Sequence, residues 1–345
     1  MGLVTPARPT RTLAADDAGI AQAASILVAG GLVAFPTETV YGLGAHALDP
    51  VAAEGIFTAK ARPSDDPLIV HILSLEQLER IAQHAPMAER LARTFWPGPL
   101  TLVLPKLAQV PDVVTAGLPT VAVRVPAHPV AAALLRACDL PLAAPSANLF
   151  GRPSPTRAQH VLDDLDGRID AVLDGGATAL GVESTIVDLS RPQPRLLRPG
   201  GLPAEDIEAA LGMPLLPPLP ATRPAAPGML PTHYAPRTPL TLVVGEPGRA
   251  RARLREAVAH ALARGQRVGV LQLEDDAELA GAAVEWVGSY ADATGSALRL
   301  FDALRKLDQR GCDVLFAREL AEPTSGLGRA LADRLRRAAT RVIDT

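Results

Sequence analysis

Residues 200–239 read GGLPAEDIEAALGMPLLPPLPATRPAAPGMLPTHYAPRTP, a stretch that no continuous hydrophobic core can run through. Proline lacks the donor a sheet ladder needs and breaks helix interiors, so the chain must fold as two units with this segment between them. We expect a first unit over 1–205, a proline-rich linker over 206–238 and a second unit over 239–345. Only Ala204 to Leu211 has brief helical spacing there, and Met229, Leu230, His233 and Tyr234 are more than a spacer requires. The linker is therefore expected to pack on something.

Before the break, the period of the apolar residues alternates between two and about 3.6. Residues 1–15 read as a loosely held start, and Asp16 to Ala29 as a helix. Leu32 to Phe35, bounded by Gly31 and Pro36, reads as a buried strand opening into the polar loop Thr37-Glu38-Thr39, with Gly42 and Gly44 supplying positive-φ freedom. Asp49-Pro50 is an N-cap followed by proline at the first helical position, and that helix delivers Lys60 and Arg62. Pro67 to Leu73 is a strand, and Ser74 with Gln77 forms a capping-box pattern. Strands are expected at Leu100–Leu104, Val121–Val125, Leu140–Ala144, Ala171–Leu173, Ser184–Leu189 and Arg195–Leu197, with helices at His128–Ala137 and Thr156–Leu165. The sum is a twisted mixed sheet with helices. After the break, LTLVVG, RVGVLQL, VEWVG and CDVLFAREL alternate with helices, which predicts a smaller, Rossmann-like parallel α/β unit.

Composition excludes several classes. The net charge of −3 gives no global basic field for nucleic acid, and 3% aromatic content weakens base stacking. Cys138 and Cys312 alone exclude a disulfide scaffold and suit a reducing, cytoplasmic setting. The Pro/Arg/Thr start has no apolar export signal, and no apolar run of membrane length occurs.

The nucleotide fingerprints G-x-x-x-x-G-K-[ST] and G-x-G-x-x-G are missing, so a nucleotide must be gripped otherwise. Lys60-Ala61-Arg62 offers a point charge and a fork, the two ways side chains hold phosphate, or else it is a solvated helix end. Lysine is scarce, only three of the 34 cations. Ser146 and Asn148 follow the strand ending at Ala144, where open α/β sheets bind ligands, or they form a plain Ser/Asx turn. Arg124 is a charge inside VAVRVP. It either points outward or binds an anion such as a carboxylate. Ser184 and Arg198 repeat the theme of hydroxyl and guanidinium at strand ends, while His71 in PLIVHIL reads as a core histidine. No G-x-S-x-G, activated cysteine or His-rich metal cage is present.

Together, PTETVYGLG, Lys60-x-Arg62, Ser146-x-Asn148, FWPGPLTLVL, ESTIVDL, LLRPG and HYAP strongly resemble the YrdC-like family in the long, two-domain form of threonylcarbamoyl-AMP synthase. The likeness runs in motif detail over about residues 12–238 and in domain order to the C-terminus. It implies a nucleotidyltransferase that joins L-threonine, bicarbonate or CO2 and ATP, with Mg2+, into L-threonylcarbamoyl-AMP. Pyrophosphate leaves, and a separate complex transfers the product to position 37 of tRNA. It also implies a nucleotide group of Lys60, Arg62, Ser146, Asn148, Ser154, Ser184 and Arg198, with Lys60 and Arg62 catalytic, and a threonine side of Thr37, His71, Thr120 and Arg124. Tyr234 would fold the linker over the nucleotide as a lid. Here the linker, APGMLPTHYAP, lacks the basic residues many relatives carry between Met and His. Two alternatives stay open: an RNA-binding module that contacts tRNA without making adenylate, and another carbamoyl-adenylate enzyme akin to hydrogenase-maturation carbamoyltransferases, whose zinc-finger and acylphosphatase regions this chain lacks.

Overall fold

The computed structural model describes residues 9–219, 223–230, 232–324 and 326–345. In chain order the first part runs β1 (Arg11–Ala14), α1 (Asp17–Val28), β2 (Val33–Pro36), β3 (Tyr41–His46), α2 (Pro50–Lys60), β4 (Ile69–His71), α3 (Leu75–Leu78), α4 (Pro86–Phe95), β5 (Leu100–Pro105), α5 (Asp112–Thr115), β6 (Thr120–Arg124), α6 (Pro129–Cys138), β7 (Leu142–Ala143), α7 (Ala158–Leu165), β8 (Ala171–Asp174), β9 (Thr185–Asp188), β10 (Arg195–Arg198) and α8 (Ala204–Leu211). The second part runs β11 (Leu240–Val244), α9 (Pro247–Ala263), β12 (Val268–Gln272), β13 (Ala283–Trp286), α10 (Ala293–Gln309), β14 (Val314–Arg318), α11 (Gly326–Ala338) and β15 (Arg341–Asp344). Ten strands form one sheet in the order β1-β8-β2-β3-β7-β4-β6-β5-β9-β10, and five form another in the order β13-β12-β14-β11-β15. Parallel and antiparallel pairs mix in the first sheet, whereas the described pairs of the second are all parallel.

Local chemistry accounts for many boundaries. Asp49 caps α2 by accepting from the Val51 and Ala52 amides, with Pro50 at the first turn as expected. Asp16 caps α1 through Gly19, and His128 caps α6 through Val130. Four expectations need correction. Residues 1–8 lie outside the described residues, but Arg11–Ala14 is no loose start, since it pairs in parallel with β8. Gly42 and Gly44 are not turn residues: both sit in β3 opposite β2, and neither has positive φ. Their lack of a side chain serves packing, because a Cβ on Gly44 would lie 2.8 Å from the Phe35 ring. Ser74 makes no side-chain cap bond, and Gln77 instead accepts from the Leu73 amide. The helix expected from Thr156 starts at Ala158.

The main core lies on one face of the central strands, where Val70, Leu102, Leu104, Val121, Val123 and Val187 pack with Ile56, Leu91 and Ile207. Burying each such side chain contributes about 1.5–3 kcal/mol before chain entropy is set against it. The opposite face of the same strands borders a cleft.

Candidate active site

Because strand residues alternate faces, the valines of β6 that build the core leave Ala122 and Arg124 on the other side. Ile69, Val103, Ala122, Ile186 and Leu197 share that side as a small apolar floor. Toward one end the floor turns polar. His71 and Arg124 are register partners on β4 and β6, and Thr101 and Ser184 share a 2.7 Å hydrogen bond. A cleft opens here, walled by Thr37, Thr39, Arg62, His71, Arg124, Ser146, Glu183, Ser184 and Arg198 and roofed by Pro227, Gly228, His233 and Tyr234 of the linker.

Arg124 is buried and gripped by its surroundings: Nε donates to the Gly98 carbonyl at 3.2 Å, Nη1 to Thr39 Oγ1 at 2.9 Å, and Nη2 lies 2.5 Å from Glu38 Oε1. It therefore points away from the main core yet not into solvent, and the anion beside it is Glu38. Thr37 Oγ1 donates to the Val40 carbonyl and meets Thr39 Oγ1 at 2.8 Å, which fixes the loop. The His71 ring meets Phe35 edge-on, and burial, helped by Arg124, depresses its pKa to about 3. The imidazole is neutral at physiological pH.

The opposite wall comes from the end of α2. Ala61 adopts a left-handed conformation (φ 51°) that ends the helix and separates two buried cations, Lys60 at 1% and Arg62 at 7% exposure. A solvated helix end is thus excluded. Lys60 Nζ donates to the Ser146 and Asn148 carbonyls, both at 2.5 Å, so it shapes the loop after β7. Burial, and then Arg62, push its pKa well below the ordinary lysine value. Arg62 pairs with Asp66 at 2.8 Å, donates to the Asp66 and Pro67 carbonyls, and keeps a face on the cleft.

At the third wall Arg198 donates twice to the Ser184 carbonyl and, through Nη1, to the Pro227 carbonyl at 3.1 Å, tying wall to roof. Tyr234, at φ 63°, is buried among Val182, Phe301 and Leu300, and its hydroxyl has no hydrogen-bond partner among the described residues. His233 lies between Phe150 and Tyr234, its pKa pushed down to about 3 by burial and by Arg62. The free space under this roof is about 40 Å3, room for a few waters and not for a nucleotide.

The structure thus brings Thr37, Arg62, His71, Arg124, Ser146, Ser184, Arg198 and Tyr234 to one cleft. Four expected residues stand apart from its lining. Lys60 is turned onto backbone carbonyls, and Asn148 Nδ2 donates to the Leu149 and Arg152 carbonyls. Ser154 Oγ donates to Glu183 Oε1 at 2.5 Å. Thr120 lies on the Arg124 face of β6 but four residues away, roughly 13 Å along the strand. The apolar floor between them is covered by Ala225, Ala226 and Met229 of the linker. Thr39, Glu183 and His233 also line the cleft and Glu38 pairs with Arg124, although the sequence assigned none of the four a binding role. Adjacency to Thr37, Ser184 and Tyr234 was the available clue.

Comparisons with known proteins agree with this architecture. A family model described as "Telomere recombination" (Sua5_yciO_yrdC) matches residues 25–200, and one described as "Threonylcarbamoyl-AMP synthase, C-terminal domain" matches residues 202–340. The threonylcarbamoyl-AMP synthase of Pyrococcus abyssi is 48% identical over 322 residues, 92% of each chain. A putative threonylcarbamoyl-AMP synthase of Mycobacterium tuberculosis is 39% identical over 196 residues, covering 56% of this chain and 90% of its own. Among solved structures, P. abyssi Sua5 complexed with L-threonine superposes with a TM-score of 0.91 at 45% identity, covering 97% of this chain and 99% of that one. Matched along nearly its whole length in sequence and in fold, the chain belongs to the threonylcarbamoyl-AMP synthase family, in the long form that carries a second α/β unit.

Proposed function

We propose that this protein joins L-threonine, bicarbonate or CO2 and ATP into L-threonylcarbamoyl-AMP with release of pyrophosphate, for the threonylcarbamoyladenosine modification of tRNA at position 37. The observation that carries the proposal is the layout of guanidinium groups in one cleft: Arg124 at one end, among hydroxyls and backed by Glu38, and two more across it, Arg62, backed by Asp66, and Arg198. The first suits an amino-acid carboxylate and the others a polyphosphate. The P. abyssi relative complexed with L-threonine supports threonine as the amino acid.

In this reading Arg124 holds the threonine carboxylate, with Thr37 and neutral His71 as uncharged neighbours. The threonine nitrogen gives its lone pair to the carbon of CO2, and the proton it loses passes to solvent. A carbamate oxygen then attacks the α-phosphorus of ATP, the bond to the β-phosphate oxygen breaks, and pyrophosphate carries away the electron pair. No side chain forms a covalent intermediate. The protein's share is positioning and charge stabilisation: Arg62, Ser146, Ser184 and Arg198 toward the phosphates, with Lys60, Asn148 and Ser154 fixing the loops that present them. Among the described residues no group of three or more His, Cys, Asp or Glu is placed to hold a metal. On this reading Mg2+ would enter as the counter-ion of ATP.

Since about 40 Å3 cannot admit ATP, the linker roof must lift, which makes Tyr234 and its neighbours a lid. Thr120 joins the site once the floor is bared. The product passes to a separate tRNA-transfer complex in the cytoplasm; among the described residues no helix is long and apolar enough to cross a membrane. A bare RNA-binding module is not favoured, because the full-length relative is named as a synthase. Incubation with ATP, bicarbonate and each amino acid tests the proposal. Pyrophosphate and a threonylcarbamoyl adenylate are expected with threonine and bicarbonate together, and neither in the K60A/R62A double variant. Pyrophosphate release indifferent to threonine, or unchanged in that variant, overturns it.

A further inference from the structure

Glu183 presents a problem of sign, since it is a carboxylate in the wall of a cleft read as a polyphosphate site. Within the first unit its only hydrogen-bonding side-chain partner among the described residues is neutral: Ser154 Oγ donates to Oε1. Arg198 stands nearby, but its described hydrogen bonds go to Ser184 and to the Pro227 carbonyl. The countercharge comes from the other unit. Arg334, on α11 and 151 residues away in sequence, donates from Nε to Glu183 Oε2 at 2.7 Å. It is a fully buried side chain at 0% exposure. Its Nη2 donates to the Pro199 carbonyl at 3.0 Å, beside Arg198, and its guanidinium lies 5.0 Å from the centre of the Tyr234 ring. One side chain of the C-terminal unit thus touches the acid in the wall, the turn that bears Arg198, and the lid.

The backbone around Glu183 is fitted to the same unit. A Cβ on Gly181 would lie 2.3 Å from the Ala297 carbonyl oxygen of α10, so helix and loop are in direct backbone contact. That loop in turn donates from the Leu180 and Gly181 amides to the Glu38 and Thr39 carbonyls, on the side facing Arg124. Burial pushes the Glu183 carboxyl up, and Arg334, Arg198 and Ser154 more than reverse this, so it remains ionised and held by its partners.

We propose that Arg334 is a positioning residue for ATP: by neutralising Glu183 from across the unit boundary, it makes the wall that carries Ser184 and Arg198 acceptable to phosphates. The C-terminal unit is then part of the site's electrostatics as well as a scaffold. This rests on the functional reading above.

The test is calorimetric titration of ATP and of L-threonine into full-length wild type, R334M, R334K, E183Q and E183Q/R334M, with near-ultraviolet circular dichroism to confirm folding. R334M should weaken ATP by about 10- to 100-fold, the span of one buried charged hydrogen bond, while threonine affinity stays within about twofold. R334K, which keeps the charge, should recover most of the loss, and E183Q/R334M should return close to wild type. E183Q alone removes the carboxylate from the wall and leaves Arg334 with Asp333, 2.6 Å from Nη1, as its remaining acid partner; it should bind ATP more tightly than wild type, a result that does not need R334M to fold. A purely structural role would reduce the fraction of competent sites for both ligands alike, or leave ATP affinity unchanged in R334M, or give E183Q no gain; any of these overturns the proposal. If the wild type binds neither ATP nor threonine, the functional reading itself fails, and this inference falls with it.

Discussion

Unfolding this protein at pH 5.5 should draw protons from solution, and two buried histidines contribute a countable share of them. His71 and His233 are buried, and each is held near pKa 3, by desolvation first and by the neighbouring guanidinium second, Arg124 for one and Arg62 for the other. In the unfolded chain each returns to about 6.5, so at pH 5.5 each goes from essentially neutral to about 0.9 protonated. The unfolded state binds more protons, so stability rises with pH between about 3 and 6.5, is fully present above that window, and is lost below it. Between pH 7.5 and 5.5 each imidazole should therefore cost about 1.4 kcal/mol. Potentiometric measurement of proton uptake on unfolding in guanidinium chloride is independent of how many transitions the chain shows. Relative to wild type, H71N and H233N should each take up about 0.9 fewer protons at pH 5.5 and under about 0.1 fewer at pH 7.5. His128, whose pKa burial also lowers, cancels in the difference. Equal uptake in wild type and a variant would mean that the imidazole is already charged in the native state, and the account of that end of the cleft would fail.

Two further outcomes follow from packing and from the boundary between the units. Gly44→Ala should destabilise by about 1–3 kcal/mol, since its Cβ would press on the Phe35 ring that also backs His71, and this should appear as a lower denaturant midpoint; a neutral variant would refute the packing role. Arg305→Met removes a buried guanidinium that bonds the Pro153 carbonyl and Asp164 from the C-terminal unit. Asp164 keeps Arg152 as a partner, so the loss should sit near the low end for a broken buried pair, about 3 kcal/mol. Calorimetry should show a lower or split transition, which D164N should partly restore.

How much of this was legible in the sequence depended on the range of the interaction. Asp49-Pro50 announces its helix because cap and proline act within one turn, and Pro86 with Ala88, Leu91 and Ala92 carries an equally local signal for α4. The edge strands Arg11–Ala14 and Arg341–Asp344 were invisible because short, half-polar edges lack a buried period. Gly42 and Gly44 were recognised as constrained, but for the wrong reason: only the partner strand shows that the constraint is Phe35 and not a positive φ. For Arg124 the sequence allows either an outward-facing charge or one beside an anion. Both descriptions contain part of the result, because the face opposite the core is a roofed cleft. Lys60 was picked out by its rarity, yet sequence could not say that its ammonium would be spent on the Ser146 and Asn148 carbonyls. The Glu183–Arg334 pair lay beyond any local pattern, with 151 residues between its members.

The roof explains why a long, proline-dense segment can be a working part. Its fixed φ angles limit the conformations lost when it lies across the floor, and its anchors belong to both units: Ala226 and Met229 on the sheet, Pro227 on Arg198, His233 on Phe150, and Tyr234 in the second core. If ATP binds as proposed, it displaces some of these contacts, so its gross binding energy would have to exceed what they contribute. A ligand shifts such an equilibrium only by its differential affinity for the open state. Arg198 is where the exchange is most direct, because the Nη1 that now donates to the Pro227 carbonyl is the same donor a phosphate oxygen would take. On the proposed reading, closure and ligand grip compete for one guanidinium, and the lid would open in proportion to how well ATP fills the phosphate end.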